Sequence, residues 1–283
     1  MIDGVLLLWF LLTLGSLLFV LWDQFTNTPS LRVMTLAWAL IILYTGPLGL
    51  FIYFLSCRQP MPGTHDQFIQ VHWKQAIGSL IHCVAGDATA IIIMAAILSY
   101  YALPNGVEVI VEYCVAYLFG LLIFQALFMR SMFDSYLLAV QKTVFAETVS
   151  MNMVMAGMFP VMVIVRHFYP IAGDPFLPYF WGMMSLATIT ASITAYPINS
   201  WLVKKKVKHG MMSRRMIPME HAEHMKHQEH MSLQEQGHKK NMRHHEKPGS
   251  LPLETQWAMV IGTFFIFIGV MAIVGMFVPI RFR

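Results

Sequence analysis

The sequence predicts an all-α membrane protein, a polytopic bundle of about seven transmembrane helices with one additional amphipathic helix at the membrane interface. Of its 283 residues, 57% are hydrophobic and 12% are charged, a balance that ordinary soluble domains do not have. Several apolar runs approach the ~20 residues that an α-helix needs to cross a bilayer. Together these two observations exclude a soluble domain of this length.

Seven apolar runs are long enough to cross the hydrocarbon layer at about 1.5 Å per residue. They cover residues 2–22, 32–55, 76–100, 107–129, 148–168, 179–203 and 256–280. The first run lacks a basic segment before it and a small-residue cleavage site, so we expect a retained helix and not a signal peptide. Between the fourth and fifth runs, Phe133, Leu137 and Val144 stand among charged residues. This pattern predicts an amphipathic interfacial helix over residues 130–147.

These runs divide the chain into three parts. We expect a six-helix membrane bundle over residues 1–203, a polar loop over 204–255, and a last helix with the C-terminus over 256–283. Lys and Arg accumulate in loops on the cytoplasmic side of a membrane. If the N-terminus is cytoplasmic, fifteen basic residues lie inside and four lie outside. The sequence therefore predicts a bacterial inner-membrane protein whose N-terminus and polar loop are both cytoplasmic.

The polar loop is rich in side chains that bind transition metals. Residues 209–245 contain eight histidines and seven methionines, and His221, His224, His227 and His230 recur at every third position. Imidazole binds copper, zinc, nickel and iron, and thioether sulfur selects soft ions such as Cu(I). The composition indicates metal handling. The alternative is a solvated basic loop in which the histidines are incidental.

The third apolar run carries a candidate metal site made of His82, Cys83, Asp87 and Met94. At about 100° per residue, Cys83, Asp87 and Met94 fall within about 40° of one another on one helix face. Ionisable side chains inside a membrane are costly and indicate functional sites by default. A thiolate, a carboxylate and a thioether in line could bind and pass a soft metal ion. The alternative is a polar contact between two helices.

The fifth apolar run carries a row of methionines that begins at a carboxylate. The row consists of Glu147, Met151, Met155, Met158 and Met162. Their spacing places all five within about 80° of helix surface. A ladder of thioethers would offer a path to a soft ion, whereas flexible methionines also fill gaps in ordinary packing. Both interpretations remain open.

The motif content excludes several classes of membrane protein. The last run contains no lysine for a retinal Schiff base, and the chain contains no P-loop. We do not expect an enzyme. We do not expect a nucleic-acid-binding protein either, because the net charge of +4 lies mostly in one loop. The residues predict a protein that binds and translocates a soft transition-metal ion, copper above all others. The alternatives are a non-transporting assembly factor that delivers metal to a partner metalloprotein and, with less support, a haem or redox protein.

Four short motifs resemble those of one family. They are His82-Cys83-Val-Ala-Gly-Asp87, Glu147-Thr148 with Gly157-Met158, Phe180-Trp181-Gly-Met183-Met184, and Tyr196-Pro197-Ile198-Asn199-Ser-Trp201-Leu202 with Lys208-His209-Gly210-Met211. Together they resemble a bacterial polytopic membrane family catalogued as a domain of unknown function, over about residues 76–212. Some members are described beside copper proteins, so the resemblance implies a link to copper but no mechanism. The chain departs from the family pattern at Glu147, where Asp is expected, and at Lys205 and Lys206, where glycine is expected.

Overall fold

The computed structural model describes residues 2–28, 30–61, 63–101, 103–125, 136–208, 210 and 251–282. These residues are largely helical, which confirms the predicted all-α bundle. The helices are α1 (Ile2–Thr26), α2 (Arg32–Thr45), α3 (Pro47–Ser56), α4 (His65–Phe68), α5 (His72–Leu98), α6 (Asn105–Phe119), α7 (Tyr136–Phe168), α8 (Pro178–Lys204) and α9 (Leu253–Phe277). A π-helical turn, Gly120–Gln125, continues α6, and a 3-10 turn, Pro170–Gly173, follows α7.

Five of the described helices are long and apolar enough to span a membrane. They are α1, α5, α7, α9 and the helix Asn105–Ile123, which consists of α6 and part of the π-helical turn. Helix α8 has 27 residues, but its hydroxyl side chains make it less apolar. It packs along α7 and α5 in the middle of the bundle. The chain is therefore an integral membrane protein built around a helical bundle.

The second predicted span is not one crossing helix. Gly46 separates α2 from α3 with a φ of 57°, a backbone conformation that favours glycine. The Tyr53 hydroxyl donates a hydrogen bond to Asp23 at 2.6 Å. The backbone N–H of Gln59 donates to the Thr28 hydroxyl at 3.3 Å. The chain therefore leaves α3 where it entered α2, and the two helices form a re-entrant hairpin that packs one side against α1 and α5.

This hairpin changes which parts of the chain share an end of the bundle. The Tyr179 hydroxyl donates to the Asp3 carboxylate at 2.7 Å, so α1 and α8 begin at the same end. The polar loop follows the other end of α8. The prediction that the N-terminus and the polar loop share one side of the membrane is therefore wrong.

We name the two ends of the bundle by the parts of the chain that lie there. The backbone N–H of Arg281 donates to the Asn105 side chain at 2.7 Å, which places the C-terminal segment at the start of α6. We call this end, which also holds Asp3, the terminal end. The opposite end holds residues 205–208 and 251–253, which flank the polar loop in sequence, and we call it the loop end.

The predicted interfacial helix over residues 130–147 is not a separate element. From Tyr136 the chain forms α7 without interruption as far as Phe168, and residues 126–135 lie outside the described part. Thr143, Ala146 and Glu147 are buried against other helices. One face of residues 136–147 packs against other helices of the bundle. These residues therefore form the first turns of the membrane helix α7 and not a separate interfacial helix.

Helices α5, α7 and α8 form the inner layer of the bundle. A Cβ built on Gly157 of α7 would lie 2.7 Å from the Cα of Ala191 of α8. Small residues at such contacts let membrane helices approach closely. The Thr194 hydroxyl also donates to the Met153 carbonyl oxygen at 2.9 Å. This close packing brings the polar side chains of α5, α7 and α8 within reach of one another.

Candidate metal centre

Three buried side chains that can bind a metal converge between α5 and α7. Cys83 and Asp87 lie one turn apart on α5, and Glu147 projects from α7. One potential ligand atom of each lies within 4.8 Å of the other two. None of the three is more than 2% exposed. The structure thus joins the Cys83–Asp87 face to the carboxylate that begins the methionine row.

The Cys83 sulfur lies at the middle of this group. It is 3.4 Å from Asp87 Oδ2, 4.0 Å from Glu147 Oε2 and 3.0 Å from Ser150 Oγ. The other carboxyl oxygen, Asp87 Oδ1, is buried and receives no hydrogen bond from an N–H or hydroxyl group among the described residues, but the Asp87 and Glu147 carboxyl groups interact with each other. A buried polar atom without a partner costs about 1–3 kcal/mol, and more when the group is charged. The two neighbouring acids therefore need either a shared proton or a bound cation between them.

A glycine leaves room for the two carboxyl groups. A Cβ built on Gly120 would contact Asp87 Oδ1 and would lie 2.7 Å from Glu147 Oε1. Gly120 begins the π-helical turn, and π-helical turns are frequent at functional sites. The backbone of this turn forms a wall of the centre, and no side chain fits between that wall and the carboxyl groups.

A lysine folds back towards the centre after α8 ends. Lys206 adopts a φ of 59°, and the backbone N–H groups of Val207 and Lys208 both donate to the Leu202 carbonyl oxygen. A positive φ favours glycine, which accounts for the glycine that the family resemblance leads us to expect here. The turn buries Lys208, which is 4% exposed.

Hydrogen bonds connect this lysine to the sulfur. The Lys208 ammonium donates to Asn199 Oδ1 at 2.9 Å, and Asn199 Nδ2 donates to Ser150 Oγ at 2.8 Å. Ser150 in turn contacts Cys83. The ammonium also interacts electrostatically with both carboxyl groups of the centre. The centre therefore has a positive charge from the protein itself close to its two acids.

The remaining ligands predicted on α5 lie apart from this group. His82 is buried at 3% exposure, but it does not belong to the group of converging ligand atoms. Met94 is half-buried and lies about 10 Å beyond Asp87 along the helix axis at 1.5 Å per residue. The structure thus brings Glu147 to Cys83 and Asp87, at the place where the sequence predicted His82 and Met94.

The methionine row connects the centre with the terminal end. Met151, Met155 and Met158 are fully buried, and Met162 is 3% exposed. Met162 lines a cavity of about 220 Å³, about 22 Å from Glu147 along α7 at 1.5 Å per residue. Complete burial fits a thioether path and ordinary packing equally well.

The predicted ligands of the polar loop, His221, His224, His227 and His230, lie outside the described residues. Their role stays a prediction. Four contributors to the centre were not identified as such from the sequence: Gly120, Ser150, Asn199 and Lys208. Asn199 and Lys208 do stand in the motifs that carry the family resemblance, and Ser150 lies one turn from Glu147. These motif positions and this one-turn spacing are the sequence features that could have pointed to the three residues.

Residues 72–208 match the model of a family described as a domain of unknown function, DUF4396. The match begins at the first residue of α5 and ends at Lys208, so it contains every residue of the centre. This confirms the resemblance to a family catalogued as a domain of unknown function. No curated protein and no solved structure gives a significant match to the chain. The link to copper stays a prediction.

Proposed function

We propose that this membrane protein binds a transition-metal ion at Cys83, Asp87 and Glu147 and carries it across the membrane. The observation that supports the proposal is the convergence of a thiol and two carboxyl groups, all buried, inside a bundle of membrane helices. Such groups are costly within a membrane unless they are used. A bound cation would balance the two acids and would replace the proton that Asp87 and Glu147 otherwise share.

The donor set favours a soft or borderline ion. Thiolate sulfur selects Cu(I) and zinc, whereas carboxylate oxygen also suits harder divalent ions. We favour copper because four buried methionines, from Met151 to Met162, follow Glu147 along α7. Zinc is the competing ion, because two of the three donors at the centre are oxygen atoms.

Lys208 supplies a countercharge to the empty centre in this proposal. The ammonium attracts the two carboxylates and repels an incoming metal ion, so metal binding weakens its interaction with the acids. Lys208 stands directly before the polar loop in sequence. Occupancy of the centre would therefore change the position of the residue from which the loop begins, and the loop could then receive or supply the ion.

We infer that the loop end faces the cytoplasm of a bacterial inner membrane. The hairpin places Arg32 at the loop end. When each Lys or Arg is assigned to the end of the helix next to it in sequence, sixteen belong to the loop end and three to the terminal end. This bias is stronger than fifteen against four, and basic residues accumulate on the cytoplasmic side. The polar loop is then cytoplasmic, and the N-terminus lies outside.

Thiol labelling in intact cells tests this orientation. In a variant without Cys57, Cys83 and Cys114, a cysteine at Ser232 should resist an impermeant reagent, and a cysteine at Ile2 should react. The opposite result would reverse the orientation. Reaction at both positions would place them on one side and would contradict the hairpin topology.

Metal binding and flux test the function itself. The full-length protein, reconstituted in vesicles that contain a metal-sensitive dye, is supplied with Cu(I) or with Zn(II). We expect Asp87→Asn and Glu147→Gln each to weaken binding and flux by about tenfold or more, since each removes a charged ligand that is worth over 1.4 kcal/mol. Glu254→Gln is the matched control, because this carboxylate is exposed at the start of α9.

Two results would count against the proposal in different ways. If Asp87→Asn and Glu147→Gln accumulate normally and bind metal as the parent does, the centre is a packing contact and not a metal site. A parent protein that binds the ion at this centre without any flux would favour the alternative, an assembly factor that delivers metal to a partner metalloprotein.

A further inference from the structure

A second cluster of metal-binding side chains lies at the terminal end of the bundle. It lines the cavity of about 220 Å³ between α6 and α7. The lining residues include two acids, Glu108 and Glu112, together with Met162 and His167. Oxygen, sulfur and nitrogen donors of these kinds are the ligands of transition-metal ions in proteins.

The two carboxyl groups of this cavity have different partners. Glu108 accepts hydrogen bonds from both terminal nitrogens of Arg166, at 2.7 and 3.4 Å. Glu112 lies one turn further into the bundle and is only 1% exposed. Its Oε1 atom has no hydrogen-bond partner among the described residues. The arginine therefore hydrogen-bonds Glu108 and acts on Glu112 only through its charge, and one buried carboxyl oxygen of a residue that lines the cavity has no donor among the described residues.

The cavity lies on the same two helices as the metal centre. Met162 is the last member of the methionine row that begins at Glu147 on α7. On α6, Glu112 precedes Gly120 by about 12 Å of helix axis at 1.5 Å per residue. A Cβ on Gly120 would meet the carboxyl groups of the centre. The cavity therefore lies on the terminal side of the centre, about two helical turns away measured from Glu112 along α6 and about four turns away measured from Met162 along α7.

We propose that this cavity is a second cation site, in which Glu112 is the anchoring ligand and Met162 and His167 complete the donor set. The ligand is a soft or borderline transition-metal ion, since calcium and magnesium need several oxygen donors and Glu108 is engaged by Arg166. The ion would enter the cavity from outside before it reaches the centre. That order of events rests on the proposed function, whereas binding in the cavity does not.

Counting bound ions separates the two sites. The purified full-length protein is titrated with Cu(I), and separately with Zn(II), as the parent, Glu112→Gln, Glu147→Gln and the double variant. We expect each single variant to lose about one ion per chain and the double variant to lose both. Ions held by the polar loop are the same in all four proteins and cancel in the comparison. Glu254→Gln is again the control.

A second variant covers the case in which Glu112→Gln fails to fold. Met162→Leu keeps the volume of the side chain and removes the sulfur, so we expect it to weaken Cu(I) binding in the cavity several-fold and Zn(II) binding less. Gel filtration monitors folding of every variant. If folded Glu112→Gln or Met162→Leu protein binds both ions as the parent does, the cavity is not a cation site, and the proposed function is untouched. If Glu147→Gln binds as many ions as the parent and Glu112→Gln binds one fewer, the result supports the cavity site and contradicts the proposed metal centre.

Discussion

Helices α1 and α9 are more apolar than α5 and α7, yet they are far less buried. In the apolar window of each helix, 17% of the residues are buried in α1 and 22% in α9, against 72% in α5 and 67% in α7. In a bilayer, lipid tails accommodate an apolar side chain as well as another helix does. Apolarity therefore marks the outside of this bundle, and polar or small residues mark the inside.

The inner helices differ from the outer ones in what a substitution would disturb. On α5 and α7, Asp87, Glu147, Ser150 and Asn152 are buried to 1% exposure or less. The outer helices mostly present large apolar side chains to the surroundings. We therefore expect the same chemical change to have a large effect beside the inner helices and a small effect on the outer ones.

The largest contrast should come from adding one methyl group beside the centre. In Gly120→Ala, the new Cβ would occupy the space of the Asp87 and Glu147 carboxyl oxygens, so these groups would have to move apart. We expect metal affinity to fall by about tenfold or more, which corresponds to 1.4 kcal/mol or more. Titration of the purified protein with Cu(I) and Zn(II) measures this loss.

Gly262→Ala is the matched change on the outer helix α9, where nothing lies within 4 Å of the new Cβ. It should leave metal affinity unchanged. Equal affinities in Gly120→Ala and Gly262→Ala would show that the wall formed by the π-helical turn does not shape the centre.

A smaller effect, on stability, should follow from Gly157→Ala. Its Cβ would lie 2.7 Å from the backbone of Ala191, so α7 and α8 would have to separate. Overpacking of this kind costs about 1–3 kcal/mol, and thermal unfolding in detergent should show a lower midpoint. Gly15→Ala on α1 has no atom within 4 Å of its Cβ and should unfold like the parent. A Gly157→Ala protein as stable as Gly15→Ala would mean that the two inner helices tolerate separation.

Helical periodicity explains what could be predicted about the centre. Because 3.6 residues make one turn, Cys83 and Asp87 had to share a face of α5, and Glu147 had to share one with the methionine row. Periodicity does not say which helices face each other. The packing of α5, α7 and α8 against one another decides that, so the meeting of Glu147 with Cys83 was visible only in the structure.

The hairpin shows a second limit of prediction from the sequence. Residues 32–55 are apolar and long enough to cross a membrane, and Gly46 alone does not reveal whether a helix kinks or returns. The return depends on contacts with residues far away in sequence, such as the bond from Tyr53 to Asp23. Because the hairpin replaces one predicted crossing, the start of α1 lies at the opposite end of the bundle from the residues that flank the polar loop.

The smallest effect we predict distinguishes ions by their charge. Lys208 places an ammonium near the acids of the inner helices, and Coulomb repulsion of a bound ion scales with the charge of that ion. In Lys208→Met we therefore expect tighter metal binding, by a few-fold for Cu(I) and by about the square of that factor for Zn(II). Competition against a chelator measures both affinities. Lys205→Met, at an exposed lysine of the same turn, should change neither. If Lys208→Met instead binds both ions more weakly, the lysine holds the centre in shape through Asn199 and Ser150, and its charge does not oppose the ion.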